Sequence, residues 1–143
     1  MLEFYDITQN SKLTIPILFA SISAGQPLEL EGALERIDLN EFFSGNSESS
    51  LLLRVSGESM CDVPIFDGDW IMLDRLKQVE TGSIVVARLG TGYTIKRFKK
   101  KETSGKPKLY LVPCNARFEA QELLDDENNE ILGVVTWIFH PAC

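Results

Sequence analysis

Beyond residue 50 the chain reads as short apolar runs separated by turn signals. Leu51-Leu52-Leu53-Arg54-Val55 is the first, and others fall at 69–74, 82–89, 93–99, 108–113 and 130–140. These lengths suit strands, and the residues between them favour turns: Asp67-Gly68-Asp69, Thr81-Gly82, Gly90-Thr91-Gly92 and Ser104-Gly105-Lys106-Pro107. Gly90-Thr91-Gly92 is expected to join an antiparallel hairpin. Upstream, Asp38-Leu39-Asn40-Glu41-Phe42-Phe43 predicts a short helix. Asp38 is its expected N-cap, Glu41 follows three residues on as in a capping box, and Ser44-Gly45-Asn46-Ser47 ends it. The stretch 12–23 is apolar but has no helical stripe, and Pro16 and Pro27 interrupt this region. The pattern therefore predicts an extended N-terminal arm over 1–32. A compact, mainly β domain of short, mostly antiparallel strands with one short helix follows over 33–143.

Composition narrows the class. A chain of 143 residues with 44% hydrophobic and 24% charged residues can bury one sizeable core. Its net charge of −7 argues against a nonspecific grip on nucleic acid or an anionic membrane. The one basic cluster, Lys96-Arg97-Phe98-Lys99-Lys100-Lys101, reads over its lysine run as a solvated strand end that could touch an acidic partner. Three widely spaced cysteines, Cys61, Cys114 and Cys143, without a C-x-x-C, argue against a disulfide framework or a zinc site. No metal or cofactor is expected. The first residues lack the basic start of a signal peptide, and no apolar stretch reaches the ~18 residues that span a bilayer. Residues 131–139 read as a buried strand that could also pair two subunits. The expected location is the cytoplasm. No repeat, helix-turn-helix, P-loop or Rossmann fingerprint is present.

The candidate chemistry lies in a serine and a lysine. The only histidine, His140, stands three residues from the last residue given, so a Ser-His-Asp triad is nearly excluded. Ser59, in the turn Ser56-Gly57-Glu58-Ser59-Met60 after the first strand, would need another base. A desolvated lysine can serve as one. Lys96 lies in the run Gly92-Tyr93-Thr94-Ile95-Lys96-Arg97-Phe98, where Thr94, Lys96 and Phe98 share one strand face. Phe98 is consistent with an apolar wall favouring the neutral amine. The backbone N–H groups of Ser59 and Met60 are the candidate oxyanion donors. Taken singly, each piece also fits a plain structure: a turn serine and an exposed strand lysine.

Taken in order, Gly57-Glu58-Ser59-Met60, Ile65, Gly68-Asp69, Gly82-Ser83-Ile84-Val85-Val86-Ala87 and Thr94-Ile95-Lys96-Arg97 resemble the self-cleaving Ser-Lys peptidases of the LexA/UmuD family. The likeness continues more weakly through Leu111-Val112-Pro113, Asn115 and Gly133-Val134-Val135, and the separation 96 − 59 = 37 fits the family pattern. LexA-like repressors carry an N-terminal DNA-binding domain for which 143 residues leave no room. Type I signal peptidases usually need a membrane anchor. The nearest resemblance is thus to the UmuD-like branch, reinforced by Arg36-Ile37-Asp38-Leu39-Asn40.

The resemblance implies that Ser59 is the nucleophile and Lys96 the general base. It implies a cut in the chain's own arm at Ala24-Gly25, leaving 143 − 24 = 119 residues. Small residues on both sides let an extended arm lie deep in a cleft. Ala24 is repressor-like, whereas the best-known UmuD-like proteins carry cysteine there. Tethering the bond to its own enzyme gives effective molarities of about 10⁵–10⁸ M, so cleavage needs restraint until a partner releases it. The family implies that partner, a RecA–single-stranded-DNA filament formed after DNA damage. It also implies a homodimer serving, once trimmed, as a subunit of an error-prone UmuC-like translesion polymerase, without specific DNA binding of its own. Two other readings share the fold: a non-catalytic module docking polymerase or RecA, and a peptidase acting in trans.

Overall fold

Alternating apolar positions place two cores on opposite faces of one antiparallel sheet. The structure is a computed structural model and describes residues 3–6, 14–18, 24–27, 32, 34–44, 48–57, 63–113 and 120–142. These fall in two compact units, one comprising 1–7 with 49–143 and the other 8–48. The boundary expected between 32 and 33 lies inside the second unit.

The first unit holds an eight-stranded sheet. Its strands are β1 (Glu3–Asp6), β4 (Ser50–Arg54), β5 (Trp70–Asp74), β6 (Ile84–Leu89), β7 (Gly92–Lys101), β8 (Lys108–Val112), β9 (Gln121–Glu122) and β10 (Asn129–Phe139). The spatial order is β1-β4-β5-β10-β6-β7-β8-β9. The six strand segments expected after residue 50 are all present, shifted by a residue or two at their ends. Leu89 pairs with Gly92, so the anticipated hairpin joins β6 to β7 through Gly90 and Thr91.

One core gathers Leu51, Leu53, Ile65, Ile71, Leu73, Val86 and Ile95. The other gathers Val85, Ala87, Phe98, Leu111 and Val134. Successive side chains of a strand point to opposite faces, which is why Val85 and Val86 serve different cores. β10 is an interior strand: Asn129 to Val134 pair with β6, and Val134 to Phe139 pair with β5. The register shifts between Ile131 and Gly133, at the place where β10 crosses closest to Leu73 and Asp74.

In the second unit, β2 (Thr14–Leu18) and β3 (Leu34–Asp38) form a two-stranded antiparallel sheet, followed by α1 (Leu39–Ser44). The pattern suggested no strands here. Pro16 sits inside β2 opposite Arg36, which a two-stranded ribbon tolerates because a proline's missing donor can face away from the ladder. The capping expected of Asp38 is present: its Oδ1 accepts the N–H of Asn40 at 3.0 Å.

Candidate functional site

Ser59 and Met60 lie outside the described residues, as does Cys61. The stretches on either side of them are described, and they are tied together. The Val55 N–H donates to the Asp69 carbonyl at 2.8 Å, and the Gly68 N–H donates to the Val55 carbonyl at 2.8 Å. The Gly57 N–H donates to Asp67 Oδ1 at 2.7 Å. Gly57 and Gly68 have φ of 91° and 88°, a region where a β-carbon costs energy, so glycine suits both ends of this neck.

A buried carboxylate anchors the neck. Asp69 has no solvent exposure. Its Oδ2 accepts the Phe66 N–H at 2.9 Å. Its Oδ1 lies 2.5 Å from Nδ1 of His140, just past β10, and the His140 ring stands 5.3 Å from that of Phe66. The chain's one histidine is therefore Asp69's partner, a pairing that sequence reasoning missed. The available signal was Asp69 itself, an acidic residue entering an apolar strand, which needs hydrogen-bond partners once buried.

Lys96 is where the strand pattern put it, in the middle of β7 and half-buried. Antiparallel pairing sets it opposite Val85, which is fully buried and in turn pairs with Val134. Phe98, two residues along the same face, is 5% exposed. Val85 across the ladder and Phe98 along the strand are thus the buried apolar neighbours on the Lys96 side of β7. The row continues through Val134 to Asp74 and Ser50. With strands ~4.8 Å apart, Asp74 stands three strands, or roughly 14 Å, from Lys96, too far for an ion pair. The Lys96 side chain makes no ion pair with any of the described residues. Lys99, Lys100 and Lys101, by contrast, are exposed at the strand's far end.

Asp74 has its own partners. The Ser49 hydroxyl donates to its Oδ1 at 2.5 Å and the Leu76 N–H does so at 2.9 Å. The Ser49 bond leads in holding the Asp74 carboxyl below the usual carboxylate range; burial opposes it, while the backbone of Leu76 and Lys77 and the Lys77 charge assist. Ala24 and Gly25, the expected cleavage site, form part of an exposed bend over 24–26 in the second unit. Among the described residues no three His, Cys, Asp or Glu side chains are grouped to hold a metal ion. No described helix is long and apolar enough to cross a membrane.

The sequence matches the Peptidase S24-like family over residues 16–136. Protein MucA of Salmonella typhimurium is 37% identical over 134 residues, which cover 91% of this chain and 88% of that protein. Protein MucA of Escherichia coli gives the same figures. The LexA repressor of Xylella fastidiosa is 33% identical over 129 residues, 90% of this chain but 59% of the repressor.

Proposed function

The chain belongs to the Peptidase S24-like family, and on that premise we propose that it is a serine peptidase that cuts its own arm between Ala24 and Gly25. The observation that carries this reading is Lys96, a half-buried lysine in the middle of β7, opposite buried Val85 and without an ion pair among the described residues. A lysine beside a serine can serve as the general base that a serine nucleophile needs when no histidine is at hand.

In the proposed reaction the Lys96 amine accepts the Ser59 hydroxyl proton as Oγ attacks the Ala24 carbonyl carbon. The oxyanion is met by the backbone N–H groups of Ser59 and Met60. Collapse breaks the Ala24–Gly25 bond, with Lys96 returning the proton to the departing Gly25 amine. Water, deprotonated by Lys96, then hydrolyses the Ser59 ester and leaves Ala24 with a free carboxylate. Residues 1–32 act as the arm carrying the bond, and 33–143 as the catalytic domain.

The family resemblance supplies the setting. Cleavage is stimulated by a RecA–single-stranded-DNA filament during the SOS response in the cytoplasm, and the trimmed homodimer serves a UmuC-like translesion polymerase. Mildly alkaline incubation, with and without the filament, tests the chemistry. Wild type should yield a fragment beginning at Gly25, while Ser59→Ala and Lys96→Ala should yield none at an unchanged thermal midpoint. Normal cleavage by either variant sinks the assigned roles.

A further inference from the structure

One edge of the eight-stranded sheet is covered by residues that the proposed cut would sever from it. β1 pairs antiparallel with β4 in the register Glu3↔Arg54, Phe4↔Leu53, Tyr5↔Leu52 and Asp6↔Leu51. Residues 3–6 precede Ala24-Gly25 in the chain, whereas β4 follows it. β4 is thus an inner strand only while residues 3–6 stay paired with it.

The edge beneath is unusual for a bare one. Natural edges are blunted by lysine, proline, bulges or shortness. β9, at the opposite end of the sheet, has only two residues. β4 reads Ser50-Leu51-Leu52-Leu53-Arg54, with neither a proline nor a lysine, and it pairs with β5 in an unbroken register. Its polar backbone groups alternate in direction. Val55 turns its N–H and C=O toward Gly68 and Asp69 on the β5 side. Leu53 and Leu51 follow the same phase, so Leu52 and Arg54 turn theirs toward β1.

We propose that the outer edge of β4 is a strand-acceptor site, filled by the chain's own residues 3–6 until the arm is cut and then open to an extended peptide of a partner protein. The uncovering step rests on the self-cleavage proposed above; the edge itself does not. The resident strand defines what fits: an antiparallel segment with a carboxylate in register with Arg54 and two aromatic or aliphatic residues in register with Leu53 and Leu52. Main-chain hydrogen bonds supply the binding and these positions supply the selectivity, as in strand addition generally. Before the cut the tether keeps residues 3–6 at an effective concentration of about millimolar. After the cut four residues must hold by their own affinity, and a stronger strand displaces them.

Amide hydrogen exchange reads the edge residue by residue. In the Ser59→Ala chain, which should not cut itself, Leu52 and Arg54 report β1 while Leu51 and Leu53 report β5. Adding Tyr5→Pro removes the donor opposite Leu52. It should speed exchange at Leu52 and Arg54 by about tenfold or more and leave Leu51 and Leu53 unchanged. A synthetic peptide of residues 1–10, added at about millimolar concentration, should restore protection, and a scrambled peptide should not. In wild type, protection at Leu52 and Arg54 should fall as the Gly25 fragment appears. Unchanged exchange at these two amides after Tyr5→Pro, or equal loss at all four, overturns the acceptor site. Continued protection after complete cutting overturns the uncovering step. A wild type that never cuts overturns the cleavage reading and leaves the edge result standing.

Discussion

Replacing Gly133 with alanine should unfold this sheet at a markedly lower temperature, because β10 crosses β5 with no room for a methyl group. A β-carbon at Gly133 would stand 2.5 Å from Leu73 Cδ1, 2.8 Å from the Asp74 carbonyl oxygen and 3.0 Å from its carbon. Ordinary contact begins near 3.4 Å, so the shortfalls are 3.4 − 2.5 = 0.9 Å and 3.4 − 2.8 = 0.6 Å. Leu73 is fully buried and cannot swing into solvent. The Asp74 oxygen is backbone in a strand hydrogen-bonded on both sides, so relief requires β5 and β10 to part. Overpacking of this kind costs about 3 kcal/mol, the upper part of its usual range. For a chain of this size that corresponds to a fall in Tm of about 6–12 °C. Thermal unfolding followed by circular dichroism in a Ser59→Ala background measures it without self-cleavage. Gly105→Ala is the control, since nothing lies within 4 Å of a β-carbon there, and it should move Tm by about 2 °C or less. A Gly133→Ala midpoint as close to the parent as that of the control refutes the close-packing argument.

Other substitutions report on the supports of the site. Ser49→Ala removes the main partner of the Asp74 carboxylate and should cost about 1–2 kcal/mol at neutral pH by urea titration. Because that carboxyl titrates below its ordinary value when folded, its contribution is complete above the unfolded value of ~3.9 and disappears as pH falls through the folded value. The gap between Ser49→Ala and wild type should therefore close in acid, and a gap independent of pH would contradict the assignment. His140→Ala leaves buried Asp69 with one partner fewer; it should cost about 1–3 kcal/mol and slow self-cleavage through the loosened neck. Wild-type stability and rate in that variant would show that the pair anchors nothing. Lys96→Arg keeps a long cationic side chain, but a guanidinium does not give up its proton, so cleavage should be lost with folding intact. Retained cleavage would exclude Lys96 as the base.

The second half of the chain was largely legible before its structure. The run 51–55 announces itself because Leu51, Leu53 and Val55 alternate into one core while Leu52 and Arg54 are more exposed, and 69–74 sends Ile71 and Leu73 into the same core. Asp38 was readable as a cap because its role is local, set by an amide two residues on. The first 38 residues were harder. β1 has four residues, and β2 contains Pro16, so neither offers a period long enough to recognise. Their partners lie well downstream in sequence, with Glu3 against Arg54 and Thr14 against Asp38. The same distance hid the role of His140, which meets Asp69 from 71 residues away. Spacing could set His140 aside as the base of a triad but could not supply its partner. Lys96 stood out through the family motif, while its place opposite buried Val85 is a property of the folded sheet alone.

In the proposed function this chain hydrolyses its own Ala24–Gly25 bond with Ser59 and Lys96. Intact-mass spectrometry of the purified protein over an alkaline time course tests it most directly. Two products are expected, one ending at Ala24 and one beginning at Gly25, whose masses sum to the parent plus one water. Lys96→Ala should remain whole under the same conditions. A parent that persists with and without a RecA–DNA filament, or a cut at any other bond, contradicts it.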